Sequence, residues 1–182
     1  LLEITRAYTP FASGGRAVEP RFITLVEDTA GKVVWRPDVE RRRALDSGVA
    51  YLVTDLLRDA VDRGTGSAVR DAGFRGPAAG KTGTTDDGND AWFVGYTPAL
   101  VGGVWIGFDR PQPVVARASG GRLAAPVWGR MMRRIAPMVD GPEEWERPDD
   151  VVEREIDPAS GLVLARGCRP ERGSAREELF LE

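Results

Sequence analysis

The chain of 182 residues contains no histidine. That excludes Ser-His-Asp and Cys-His catalysis, histidine-ligated metals and a histidine pH switch. It has a single cysteine, Cys168. One thiol excludes an intrachain disulfide and a cysteine cluster for zinc or iron–sulfur, and leaves the redox compartment open. Lysine is nearly as scarce: of 25 basic residues only Lys32 and Lys81 are lysine, and the other 23 are arginine. Chemistry that needs a lysine amine therefore has two candidates. No stretch reaches the roughly 18–20 apolar residues of a membrane span, and the first residues do not read as a signal peptide. A net charge of -3 gives no broad attraction to nucleic acid, so no such partner is expected. The acidic residues lack EF-hand spacing, and a phosphate loop around Gly80-Lys81-Thr82 would need glycine where Arg75 stands. Neither a metal nor a cofactor is expected.

What is present is an ordinary globular balance, 42% apolar and 29% charged residues. Leu1, Thr5, Tyr8, Phe11 and Ala12 follow helical spacing, and Gly14-Gly15 stops the helix. That helix starts without an N-cap, which predicts further sequence upstream; a boundary set one turn too late is the alternative. Arg21–Glu27 and Lys32–Trp35 around Asp28-Thr29-Ala30-Gly31 predict a hairpin, and Pro37 with Arg41-Arg42-Arg43 predicts a connector. Leu45, Val49, Leu52, Val53, Leu56, Leu57, Ala60 and Val61 form one helical stripe, capped by Asp46 or Ser47 and ended by Gly64. Ala91–Tyr96 and Leu100–Phe108 predict adjacent antiparallel strands, with Gly102, Gly103 and Gly107 marking close approach on the sheet faces. Pro126 predicts a helix start, with Val127, Trp128, Met131, Met132 and Ile135 as its apolar stripe. From Asp140 the composition turns charged and Pro-flanked, which predicts a linker or arm. Val151–Ile156 and Leu162–Ala165 flank Asp157-Pro158-Ala159-Ser160-Gly161 as a second hairpin, and the polar tail from Arg169 is expected to be loose. The fold class expected is α/β of the α+β type, an antiparallel sheet flanked by helices. Residues 1–139 form the main unit and residues 140–182 a linker, hairpin and tail.

Ala79-Gly80-Lys81-Thr82-Gly83-Thr84-Thr85 carries the sharpest chemical signal. On a strand, Lys81, Gly83 and Thr85 face one way and Thr82 and Thr84 the other. An amine beside hydroxyls and an open glycine backbone suits a carboxylate-bearing peptide laid along the strand. K-T-G alone arises by chance in roughly a few per cent of chains this long, and then marks only a solvated strand end. Here it is followed by an acidic turn, then D-A-W-F-V-G-Y-T-P and L-V-G-G-V-W-I-G-F-D. Asp90, at the head of that strand, is expected to pin the turn rather than to act chemically.

With E-I-T-R-A-Y-T-P-F-A-S-G-G-R-A-V-E-P (3–20), A-Y-L-V-T-D-L-L-R-D-A-V-D-R-G-T-G (50–66), G-G-R-L-A-A-P-V-W (120–128) and the D-P-A-S-G turn, the chain resembles the transpeptidase domain of the class A, bifunctional penicillin-binding proteins. The resemblance covers roughly residues 1–168. It implies a partial serine-transpeptidase, β-lactamase-like fold and a peptidoglycan D,D-transpeptidase parent. In that family a serine attacks the D-Ala-D-Ala carbonyl of a stem peptide, and the acyl group passes to an amine of a neighbouring stem; β-lactams trap the serine. Lys81 matches the K-T-G lysine that holds the substrate carboxylate region. Thr82 and Thr84 match the hydroxyls that bond that carboxylate, and the Thr84 N–H matches half of the oxyanion hole. Gly83 and Thr85 complete the substrate strand.

The other two family motifs are missing from the sequence. S-x-x-K would need serine at Thr29 or Ala78, and S-x-N would need serine at Asp87, two before the sole asparagine, Asn89. The resemblance thus predicts the C-terminal half of a transpeptidase domain, inactive alone. Its implied partners are the stem peptide and β-lactams in the intact domain, the upstream half, and further copies through exposed edges. The parent is expected at the periplasmic or outer face of the cytoplasmic membrane, anchored and fused to a glycosyltransferase upstream. Two rival expectations are a non-catalytic stem-peptide binding module and a structural half-domain that needs an upstream half in trans.

Overall fold

The computed structural model describes residues 1–165, 167–171 and 173–182. Its centre is a three-stranded antiparallel sheet of β5 (Ala79–Thr84), β6 (Ala91–Tyr96) and β7 (Val101–Ile106), in that order. β6 therefore lies inside, with Thr82 opposite Phe93 and Phe93 opposite Val104. β-Branched and aromatic residues in short runs, punctuated by turn residues, give these strands as the sequence predicts.

The two sheet faces are covered differently. α5 (Gly120–Ile135) covers one. Phe93, Trp128, Met132, Ala124 and Ala125 are fully or almost fully buried there, with Val61, Val69 and Phe74. Gly95 and Gly102 on this face leave no room for a side chain: a Cβ on Gly95 would come within 2.9 Å of the Trp128 ring, and one on Gly102 within 2.9 Å of Met132 Cε. The other face meets α1 (Leu2–Ala7), α2 (Thr9–Ala12) and the long helix α3 (Ser47–Asp62). A second, smaller core forms there from Ala12, Ala79 and Tyr96, with Tyr8, Phe11, Leu57 and Trp145 against it. Gly103 admits Thr5 and Leu1, which confirms the close approach expected of that glycine. Asp46 caps α3 through Gly48 N (2.9 Å) and Val49 N (3.4 Å), so Asp46 rather than Ser47 is the cap. A short α4 (Ala68–Asp71) follows.

Five other expectations are corrected. The first helix is two, broken at Tyr8 before Pro10. Arg41–Arg43 is no connector: it is strand β4, paired with β1 (Arg16–Val18). The hairpin at 21–35 is reduced to β2 (Val26–Glu27) and β3 (Val33–Trp35), with Phe22 and Ile23 exposed beside it. Residues 162–165 do not form the second strand of the last hairpin. β8 (Val151–Ile156) pairs along its full length with β9 (Arg176–Leu181), and the nearer segment contributes only the bridge Ile156–Val163. The tail beyond Arg169 is thus partly ordered, because Leu179 and Leu181 line up with Glu153 and Val151. The charged arm at 140–150 lies against the second core, with the Trp145 ring edge-on to Tyr96 at 5.7 Å. Among the described residues no helix is long and apolar enough to cross a membrane.

Candidate functional site: a hydroxyl-lined groove beside the edge strand

Among the described residues β5 has a strand neighbour on one side only, so Lys81–Thr84 stands at the sheet edge. The alternation expected there is present. Thr82 and Thr84 line a groove of about 440 Å³ together with Gly64, Thr65, Ser67, Ala68, Ser119, Gly121 and Arg122. Lys81 is exposed, and Nζ donates to the carbonyl of Thr82 at 2.9 Å. It is not among the lining residues of the groove. Thr85 lies just past the strand, where its hydroxyl accepts from Asp90 N (3.0 Å) and its N–H donates to Asp90 O (3.2 Å). Thr85 therefore closes the turn into β6. Asp90 pins that turn, as expected, and its carboxylate also accepts from Trp105 Nε1 at 2.8 Å.

The groove is built by a close approach of helix and strand. Gly120 is the first residue of α5, and a Cβ there would stand 2.6 Å from Gly83 O and 3.0 Å from Gly83 N. Only glycine lets the helix start on the backbone of β5. At this contact Gly120 N donates to Thr84 Oγ1 at 3.0 Å. The Thr84 oxygen is then an acceptor for the helix, and its own hydrogen is left to donate elsewhere. Thr65 and Thr82 share one hydrogen bond at 2.8 Å, which leaves one hydroxyl hydrogen free between them. Ser119 caps α5 by accepting from Arg122 N at 3.3 Å. The helix thus begins well before Pro126, the start that the sequence predicts; Pro126 sits inside it.

Sequence reasoning found β5 but missed Thr65, Ser67, Ser119 and Arg122. They come from segments far apart in the chain, and only Ser119, as a serine before a helix, carried a local signal. Among the described residues no group of three or more acidic or cysteine side chains could hold a metal.

A three-stranded antiparallel sheet with helices on both faces and a K-T-G-T edge strand beside a hydroxyl-lined groove defines a partial serine-transpeptidase fold. The family model described as the penicillin binding protein transpeptidase domain matches residues 1–133, and the chain belongs to that family. It is similar to penicillin-binding protein 1A of Rickettsia conorii, 32% identical over the whole chain and 26% of the relative. It is also similar to penicillin-binding protein 1A of Aquifex aeolicus, 38% identical over 90% of the chain and 22% of the relative. The chain therefore spans about a quarter of the length of such relatives. In fold it matches the crystal structure of penicillin-binding protein 1A from Haemophilus influenzae, with a TM-score of 0.82, 24% identity and coverage of 99% of this chain and 31% of that one.

Proposed function

We propose that this chain supplies the substrate-binding part of a peptidoglycan D,D-transpeptidase, and that the acyl-accepting serine and its base come from an upstream S-x-x-K segment. The observation that carries this reading is the K-T-G-T edge strand, with Thr82 and Thr84 opening on a groove whose free hydroxyl hydrogens suit a carboxylate. In this reading the strand lays out the acyl-D-Ala-D-Ala end of a stem peptide. Thr84 N–H donates to the oxyanion of the tetrahedral intermediate, and Lys81 tunes the charge of the site from the other side of the strand. The ligands of the intact domain are stem peptides and β-lactams, at the outer face of the cytoplasmic membrane. The sequence has no S-x-x-K and no S-x-N, so the chain alone forms no acyl-enzyme.

Labelling with a fluorescent penicillin tests this. No covalent adduct is expected on the purified chain, and mixing with a fragment bearing S-x-x-K is expected to restore a serine-linked adduct on that fragment. An adduct on the chain alone would overturn the proposal, as would a complex of the two fragments that stays unlabelled.

A further inference from the structure

The hydroxyl side chains that line the groove have hydrogens to offer a ligand. The Thr84 hydrogen is free because its oxygen is held by Gly120 N at 3.0 Å. One hydrogen of the Thr65–Thr82 pair is free, and so is that of Ser119, whose oxygen caps the helix. No carboxylate lines the groove, and the one charged side chain among its lining residues is Arg122. A set of hydroxyl donors with one guanidinium fits an anion with several lone pairs, and a carboxylate is one such anion.

Arg122 is also held in place. Its Nη1 donates to the carbonyl of Arg117 at 2.8 Å. Arg117 has φ +58°, and no other non-glycine residue described has a positive φ. Left-handed backbone is unfavourable for a residue with a Cβ, so the turn before α5 keeps a costly conformation while directing its carbonyl at that guanidinium. The remaining N–H groups of Arg122 stay available. Lys81, which the family motif makes the obvious cation, stands on the opposite side of β5 with its ammonium on the Thr82 carbonyl.

On the reading of this chain as a transpeptidase substrate strand, we infer that Arg122 is the cation that contacts the terminal carboxylate of the acyl-D-Ala-D-Ala substrate in the groove. It is a specificity-determining residue: it selects ligands that carry this charge and takes no part in the acyl transfer itself.

The test uses the full polypeptide, S-x-x-K segment included, with two thioester substrates: an N-acyl-D-alanyl thioglycolate, which has the carboxylate, and its primary amide, which does not. Arg122→Gln is expected to raise KM for the acid roughly tenfold, to leave kcat near its original value, and to leave the amide unaffected. Arg122→Lys is expected to recover part of the loss, because a point charge without the bidentate fork remains. An equal loss on acid and amide would reduce Arg122 to a structural role and overturn the inference. So would no loss on either. If the wild-type polypeptide forms no serine adduct with a fluorescent penicillin, the transpeptidase reading itself fails and this inference falls with it.

Discussion

The two faces of the central sheet are built on different principles. The α5 face is closed by one long helix, with Trp128, Phe93 and Met132 at or below 1% exposure. Its sheet glycines exist to admit that helix. The opposite face is a mosaic of α1, α2, part of α3 and the arm around Trp145. Where the mosaic stops, Trp105 is 36% exposed, and Leu1 together with Leu2 and Ile4 of α1, which crosses Gly103, is in solvent. Tyr8 and Tyr96, whose ionisation is disfavoured by burial, both lie on this second side. One face is finished within these residues and owns the groove; the other is finished only around Tyr96.

The strongest way to break this comparison is to remove one tryptophan from each face. Trp128→Ala empties a fully buried site between Phe74 and Phe93, whose rings meet it edge-on at 5.8 and 5.4 Å. It also frees the Gly102 carbonyl that Trp128 Nε1 bonds at 3.0 Å. The expected loss is about 3–5 kcal/mol in urea unfolding, enough to unfold a marginal domain. Trp105→Ala on the other face removes a partly solvated ring and its bond to Asp90, with an expected loss of about 1 kcal/mol. Similar losses for the two variants would mean that the second face is as closed as the first.

Gly120→Ala sharpens the comparison at the groove. The added methyl meets backbone on β5 and β6, which cannot swing aside as a flexible side chain would. The helix start must lift, at about 1–3 kcal/mol. The Gly120–Thr84 hydrogen bond then lengthens, and in the full polypeptide acylation by penicillin is expected to fall further than stability alone accounts for. Gly88→Ala, at a turn glycine with φ +68° where a Cβ would make only ordinary van der Waals contact with Ala118 (3.5 Å), is the control for strain without loss of the groove.

This pair of glycines also shows where sequence reasoning stops. The K-T-G strand and its two successors were legible because strand alternation and turn residues are local signals. α5 starts earlier than predicted, at Gly120 and Gly121, because Pro126 reads as a first-turn residue. The glycines are there for contact with Gly83 and the carbonyl of Thr65, which lie far back in the chain. Arg41–Arg43 reads as a connector, yet its backbone pairs with Arg16–Val18 while the side chains stay exposed. Strand pairing needs only the backbone, so a run of three arginines gives no sign of it. β9 was missed for the same reason: Arg176, Glu177 and Glu178 hide the alternation that Leu179 and Leu181 continue.

The smallest expected effect concerns pH and belongs to the second face. The Tyr96 hydroxyl is buried and bonded to Thr54 Oγ1 at 3.1 Å. Burial pushes its phenol well above the ordinary value of about 10, and the bond to Thr54 offsets this only in part. The folded chain therefore keeps a proton that the unfolded chain gives up once the pH passes that ordinary value. The stabilisation is fully present below about pH 10 and is lost as the pH rises beyond it. Tyr96→Phe costs about 1 kcal/mol at neutral pH, because Thr54 keeps its bond to Ala50 O at 2.8 Å and only the phenol contact is lost. In return, the variant should lose less stability than the wild type between pH 9 and 11, read as the slope of Tm against pH. Tyr8, raised in the same direction by burial, leaves a residual slope in the variant. An unchanged slope in Tyr96→Phe would mean that the alkaline sensitivity arises outside this small core, and that Trp145 and the arm do not seal it from water.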